Sequence, residues 1–174
     1  MKLRQLKLEF NAEHDRLLLR VSSEDGKEVL LWLTRRCVKL LWPTLVNAAQ
    51  ASPEIVLQAD PEAKKALLGF QHENAVNRAN FSRPYEDAPR ERPLGAEPTL
   101  VARIQTRRDS HGRCVLSLLP VEGRGIHFTL DDTLLHSFCR LLQTSVAKAN
   151  WDIALELPQA LMPAAPAERV RTLN

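Results

Sequence analysis

The sequence predicts an α+β protein made by internal duplication of a βββα(β) unit, with antiparallel sheets, one long helix per repeat and a pseudo-twofold relating the copies. Two observations carry this prediction. At an offset of 97 residues, His14, Arg16, Leu19, Gly26, Leu33 and Leu45 recur as His111, Arg113, Leu116, Gly123, Leu130 and Leu142. Between these identities residue type is kept: Lys27 matches Arg124, Val29 matches Ile126, Thr34 matches Asp131, Val38 matches Leu135 and Leu41 matches Phe138. In each copy the apolar residues first alternate with period two, then switch past a capping residue to the period of a helix.

In the first copy Leu6, Leu8 and Phe10 alternate with Lys7 and Glu9, as in a half-buried strand. Residues 11–15 mark a turn, residues 17–21 a second strand, and residues 22–26 a second turn in which Gly26 is free to take a positive φ. Val29, Leu31 and Leu33 form a third strand. Thr34 then stands at an N-cap position ahead of the stripe Val38, Leu41 and Leu45. The second copy follows the same order. Ala102, Ile104 and Thr106 alternate, residues 114–118 extend after a turn at His111 and Gly112, and Ile126, Phe128 and Leu130 lead into Asp131 as a cap. Its helix carries a nearly complete stripe from Leu134 to Ala149. Asp131 and Asp132 lie at the positive end of the helix dipole, which gives them a structural reading ahead of an acid/base one.

Residues 54–57 before Pro61, and residues 152–155 before Pro158, predict a short strand after each helix. Asp60, Pro61 and Glu62 supply a cap, a proline at the first helical position and an early acid, so a linker helix is expected to run to about Arg78. Residues 82–98 hold four prolines among many charges and are expected to form a mobile loop. The organisation is therefore repeat 1 over 1–58, linker over 59–98, repeat 2 over 99–158 and a flexible tail over 159–174. Units of about 55 residues are marginal alone, so the repeats are expected to pack as one domain.

The 174-residue chain has a net charge of +3, and residues 1–50 and 99–150 each carry +3 while the connecting stretch is slightly acidic. This balance permits an anionic partner. No apolar run is long enough for a bilayer, and Lys7 and Glu9 interrupt the N-terminus, so no membrane partner and a cytoplasmic location are expected. Cys37, Cys114 and Cys139 have no motif spacing and read as buried thiols.

No phosphate-binding loop, dinucleotide fingerprint, nucleophile elbow or zinc spacing is present, so a non-enzymatic protein without cofactor or metal is expected. His136 lies one helical turn past Asp132, but two ligands do not make a metal site. The repeated pairs His14 with Arg16 and His111 with Arg113 put an imidazole and a guanidinium beside equivalent turns, and an arginine fork suits phosphate. Trp32 beside Arg20 and Arg35 would make a stacking platform, and Arg103 and Arg107 add a basic cluster. The strand face opposite the helices is apolar at Leu18, Leu30, Trp32, Val115 and Leu119, so something is expected to cover it: the sister repeat, the linker helix or a second subunit.

The order of residues 17–21, Gly26, residues 29–33 and the helix from Arg35, repeated as 114–118, Gly123, 126–130 and the helix from Asp132, resembles the single-stranded nucleic-acid-binding repeats of the Pur-alpha and Whirly kind. The resemblance covers about two thirds of the chain and implies curved antiparallel strands followed by a helix, two intertwined repeats, and a partner lying on the exposed sheet faces. It assigns no individual residue. The expected function is a non-enzymatic binding module with single-stranded nucleic acid as partner. The alternative is an assembly factor that uses the apolar face against a protein or against a second copy in a homodimer. An unrecognised enzyme is the third class.

Overall fold

The computed structural model describes residues 2–79, 81, 84–87 and 90–159 of the 174. In chain order the elements are β1 (Leu3–Asn11), β2 (Arg16–Ser23), β3 (Glu28–Leu33), α1 (Arg35–Gln50), α2 (Pro53–Val56), α3 (Pro61–Arg78), β4 (Thr99–Leu100), β5 (Arg103–Arg108), β6 (Cys114–Leu119), β7 (Ile126–Leu130) and α4 (Asp132–Ala149). The fold is α+β, with a four-stranded sheet ordered β1-β2-β3-β4 and a three-stranded sheet ordered β5-β6-β7.

Alternation along the strands sorts side chains onto two faces. In the first sheet the rows Leu6–Val21–Val29, Leu8–Leu19–Leu31 and Phe10–Leu17–Leu33 face inward, and the rows Gln5–Ser22–Glu28, Lys7–Arg20–Leu30 and Glu9–Leu18–Trp32 face outward. In the second sheet Ile104–Leu118–Ile126, Thr106–Leu116–Phe128 and Arg108–Cys114–Leu130 face inward. Both hairpins of each meander turn through left-handed residues, Asp15 (φ 49°) and Gly26 (φ 77°) in one, Gly112 (φ 76°) and Gly123 (φ 87°) in the other. Aspartate accepts this backbone better than most side chains, which explains why Asp15 serves in the first meander where the second uses glycine.

Thr34 caps α1 by accepting from the Cys37 amide at 3.1 Å, and Asp131 caps α4 by accepting from the Leu134 amide at 2.8 Å. Asp60 caps α3 through the amides of Glu62 and Ala63, and that helix ends at Arg78 as its composition predicts. The buried stripes of α1 and α4 join the inner faces of both sheets in one hydrophobic core. Their packing is reciprocal. α1 lies on β5 as well as β3, and α4 lies on β1 as well as β7. Two hydrogen bonds mark these crossings: Ser145 Oγ donates to the Leu8 carbonyl at 3.2 Å, and Arg108 Nη2 donates to the Ala48 carbonyl at 2.9 Å. All three cysteines are buried and free, and burial pushes the thiols of Cys37 and Cys139 up to about 12.

The two sheets meet along the segment from β4 into β5. The Val101 amide donates to the Trp32 carbonyl at 3.0 Å and the next amide, Ala102, donates to the Leu119 carbonyl at 2.8 Å. One stretch of chain thus serves as the edge of both sheets.

The structure corrects the strand expected after each helix. Glu54, Ile55 and Val56 lie in the short helix α2, which starts at Pro53 and in which the Ser52 carbonyl accepts from the amides of Ile55 and Val56. After α4 the chain turns at left-handed Asn150 (φ 51°) and residues 151–159 stay irregular. Their polar groups bond to helix side chains instead of a ladder: Trp42 Nε1 donates to the Glu156 carbonyl and Gln143 Nε2 to the Leu155 carbonyl.

Where composition predicts a mobile loop over 82–98, the described residues are bonded to the first sheet. The Glu28 amide donates to the Glu91 carbonyl at 2.9 Å, Glu86 pairs with Arg4, and Leu94 packs against the core. Ser82, Arg83, Ala88 and Pro89 lie outside the described residues, as does the expected flexible tail from Ala160 onward.

Removal of either cap should be felt equally. Thr34→Ala and Asp131→Ala are each expected to lower the unfolding free energy by about 1 kcal/mol. The check is a urea melt in which the midpoint falls and the slope stays constant.

Candidate functional site

The outward face of the first sheet divides into a polar half and an apolar half. Glu28 anchors the polar half. It is 2% exposed, and both of its carboxylate oxygens are saturated: Oε1 accepts from Arg20 Nε and Nη2 and from the Tyr85 hydroxyl, and Oε2 accepts from Arg92 Nε and Nη2. Arg90 reaches Glu28 only at 3.8 Å, and its Nη1 is buried without a hydrogen bond. The guanidinium of Arg20 also pairs with Asp87 at 2.6 Å and lies over the Tyr85 ring. Burial pushes the Glu28 carboxyl up, but the hydrogen bonds from Arg20, Tyr85 and Arg92 outweigh it and hold the group below its ordinary range.

The apolar half holds Leu18, Leu30 and Trp32, all half-buried, with Leu100 of β4 beside Trp32 and 43% exposed. His14, exposed in the β1–β2 turn, stacks on the Trp32 indole with ring centroids 5.2 Å apart and 24° between planes. Asn11 fixes that imidazole, since its Oδ1 accepts from the His14 amide at 2.9 Å and lies 3.0 Å from Nδ1. Strand alternation puts Arg16 on this same face, paired with Asn11 and two residues from Leu18.

The outward face of the second sheet presents Arg103 and Arg107 on β5, both exposed, in the rows Arg103–Leu119 and Arg107–Val115–Thr129. Between them runs Gln105–Ser117–His127, in which His127 Nδ1 lies 2.7 Å from Ser117 Oγ. Arg103 Nε donates to the Pro120 carbonyl, and neither arginine has a carboxylate partner among the described residues. His111 and Arg113 occupy the β5–β6 turn. There Asp109 accepts from both amides and forms an ion pair of 2.7 Å with Arg113.

The nine sequence-predicted residues therefore fall into separate places. His14, Arg16 and Trp32 share one face, and Arg103 and Arg107 share the other. Arg20 is not part of a stacking platform: its register partner is Leu30, and two carboxylates hold its guanidinium. Arg35 does not join Trp32 either. It pairs with Asp15 at 2.8 Å and lies over the Trp151 ring, while Trp151 Nε1 donates to Asp15 at 2.7 Å. The Trp151 indole and Arg35 hold the Asp15 carboxyl below its ordinary range. His111 and Arg113 sit in a turn on the second sheet, and the matching His14 turn alone carries the aromatic stack.

Sequence reasoning singled out Arg20 but missed its partner Glu28, and with it Tyr85 and Arg92, which also donate to that carboxylate. The available signal was a carboxylate inside a strand, in register with Ser22 and in alternation with Leu30 and Trp32. Among the described residues, no group of three or more histidines, cysteines, aspartates and glutamates could hold a metal ion. No helix among them is long and apolar enough to cross a membrane.

Glu28→Gln should cost on the order of 3 kcal/mol at neutral pH, because it removes the buried counter-charge that Arg20, Arg90 and Arg92 share. A depressed carboxylate contributes stability above its unfolded value of about 4.5 and loses it as pH falls through the folded value. Melts of both proteins across pH should therefore show their difference shrinking below about pH 4.

No protein-family model matches this chain, and no curated protein and no solved structure is similar to it at a significant level.

Proposed function

We propose that the chain is a non-enzymatic binding module that takes single-stranded nucleic acid across the outward faces of its two sheets. One juxtaposition carries the reading. The His14–Trp32 stack lies on one side of the Val101–Ala102 crossing, and Arg103 with Arg107, unpaired by carboxylates among the described residues, lies on the other. Aromatic faces that accept any base, next to guanidinium groups that neutralise the backbone, are the two components of sequence-tolerant single-strand binding. The net charge of +3 on each repeat region is consistent with an anionic ligand.

The two βββα arms are read here as copies of one unit related by a pseudo-twofold. Three matches at the 97-residue offset support this: the caps Thr34 and Asp131, the left-handed positions Asp15 with Gly112 and Gly26 with Gly123, and the crossing contacts at Ala48 and Ser145. Reciprocal packing of α1 on β5 and α4 on β1 supports the intertwined arrangement that Pur-alpha-like repeats imply. The second reading, an assembly factor, is favoured by the contiguous Leu18, Leu30, Trp32 and Leu100, an apolar patch open to solvent at Leu100.

Fluorescence anisotropy with a labelled single-stranded oligonucleotide at two salt concentrations separates the readings. Binding should weaken as salt rises, and Arg103→Ala and Arg107→Ala should each flatten the logarithmic salt slope by about 0.7. Trp32→Ala should weaken binding by about 1–3 kcal/mol and leave that slope unchanged. No binding at low salt, together with a parent dimer that Trp32→Ala splits into monomers, would replace the nucleic-acid reading with the assembly one.

A further inference from the structure

Two imidazoles meet inside the protein where two helices dock. His72 of α3 and His136 of α4 are 4% and 2% exposed, their rings sit edge to face with centroids 5.4 Å apart, and their Nδ1 atoms are 3.3 Å apart. This pair occupies the middle of a small interface. α3 buries only Leu68, His72 and Ala75, a stripe at positions i, i+4 and i+7 whose central member is a titratable ring instead of an aliphatic one. α3 packs chiefly on α4, with lesser contacts to α1 and α2, so what happens at this pair governs how the helix is held.

We propose that the His72–His136 contact is an acid-sensitive latch that keeps α3 docked on α4 when both rings are neutral and releases it when they are protonated. The atoms dictate the order of events. In the neutral pair one ring donates its Nδ1 hydrogen and the other accepts at Nδ1, which requires opposite tautomers. The first added proton goes to the free Nε2 of the donor ring; it leaves the contact intact but places a charge in a buried interface. A second proton puts two N–H groups face to face, and the contact becomes repulsive. The flanking charges are divided: Glu73 on α3 favours the charged form of His72, Asp132 on α4 favours that of His136, and Arg140 on α4 opposes protonation of His72.

Burial lowers both histidines, His136 to about 4, and the neighbouring His72 adds to the lowering of His136. A histidine whose folded value lies below its free value of about 6.5 binds more protons when undocked, so docking is fully supported above that value and weakens as pH falls toward 4. His136 alone is expected to raise the undocking equilibrium by about 30-fold between pH 7.5 and pH 5.

Hydrogen exchange on the full chain, corrected for the intrinsic pH dependence of exchange, reads this directly. Amides of α3 should lose about 30-fold of protection between pH 7.5 and pH 5 while those of α1 keep theirs. His72→Leu combined with His136→Leu should hold α3 equally protected at both values. Imidazole NMR titration of the parent protein provides a measurement that needs no variant: in the docked state His136 should stay neutral down to below about pH 5.5, and His72 should titrate below its free value. Equal protection of parent α3 at both pH values, acid loss persisting in the double variant, or a docked ring titrating at or above its free value would overturn the latch.

Discussion

Neither half of this molecule owns its core, and that constraint shapes the rest of the structure. The apolar stripe of α1 is covered in part by β5 and that of α4 by β1, so the inner face of each meander is completed by the helix that follows the other one. A three-stranded sheet with a single helix buries too little apolar area to stand alone. Two of them with exchanged helices share one core. The crossing hydrogen bonds from Ser145 to Leu8 and from Arg108 to Ala48 fix the helices on the strands they borrow, and the second brings a cation to the carbonyl end of α1, where the helix dipole favours it. With all the long helices used inward, the outward sheet faces are left for other work.

Those outward faces are not equivalent along their length. On the first sheet the connecting segment brings Tyr85, Arg90 and Arg92 over Glu28, which closes the polar half of the face and removes Arg20 from any outside partner. The apolar half, with Trp32 under His14, stays open. The division follows from one carboxylate: a buried Glu28 needs donors on both oxygens, and Arg20 of β2 supplies part of them while the connecting segment supplies Tyr85 and Arg92. Among the described residues, Arg103 and Arg107 of the second sheet face have no such acidic counterpart, and Asp109 pairs with Arg113 in the turn instead.

Much of the fold was legible because it is encoded locally. Period-two alternation at Leu6, Leu8 and Phe10, left-handed glycines at the hairpins, and Thr34, Asp60 and Asp131 ahead of helical stripes each specify structure within a few residues. What escaped depends on partners far along the chain. Ile55 and Val56 have the composition of a strand, but they continue a helical turn that starts at Pro53, with Ile55 buried in the core. Glu28 meets Arg92 across 64 residues, as His72 meets His136. The candidate site was half legible for the same reason. The apolar row of Leu18, Leu30 and Trp32 could be read from alternation, whereas the neutralisation of Arg20 and Arg35 by Glu28 and Asp15 could not.

The tie between Trp151 and Asp15 has a temporal consequence. The first hairpin leaves the ribosome early, yet the indole that bonds its turn and the Ser145 hydroxyl that bonds its edge strand are synthesised 136 and 137 residues later. Until then the apolar row of β1 at Leu6, Leu8 and Phe10 lies uncovered. While α4 and Trp151 are still being made, the first hairpin is a sheet without its lid, the state in which exposed apolar strands recruit chaperones or one another. Completion of α4 and Trp151 is therefore the step that covers this row, and a ribosome that stalls before Trp151 leaves the first hairpin without the helix that closes it.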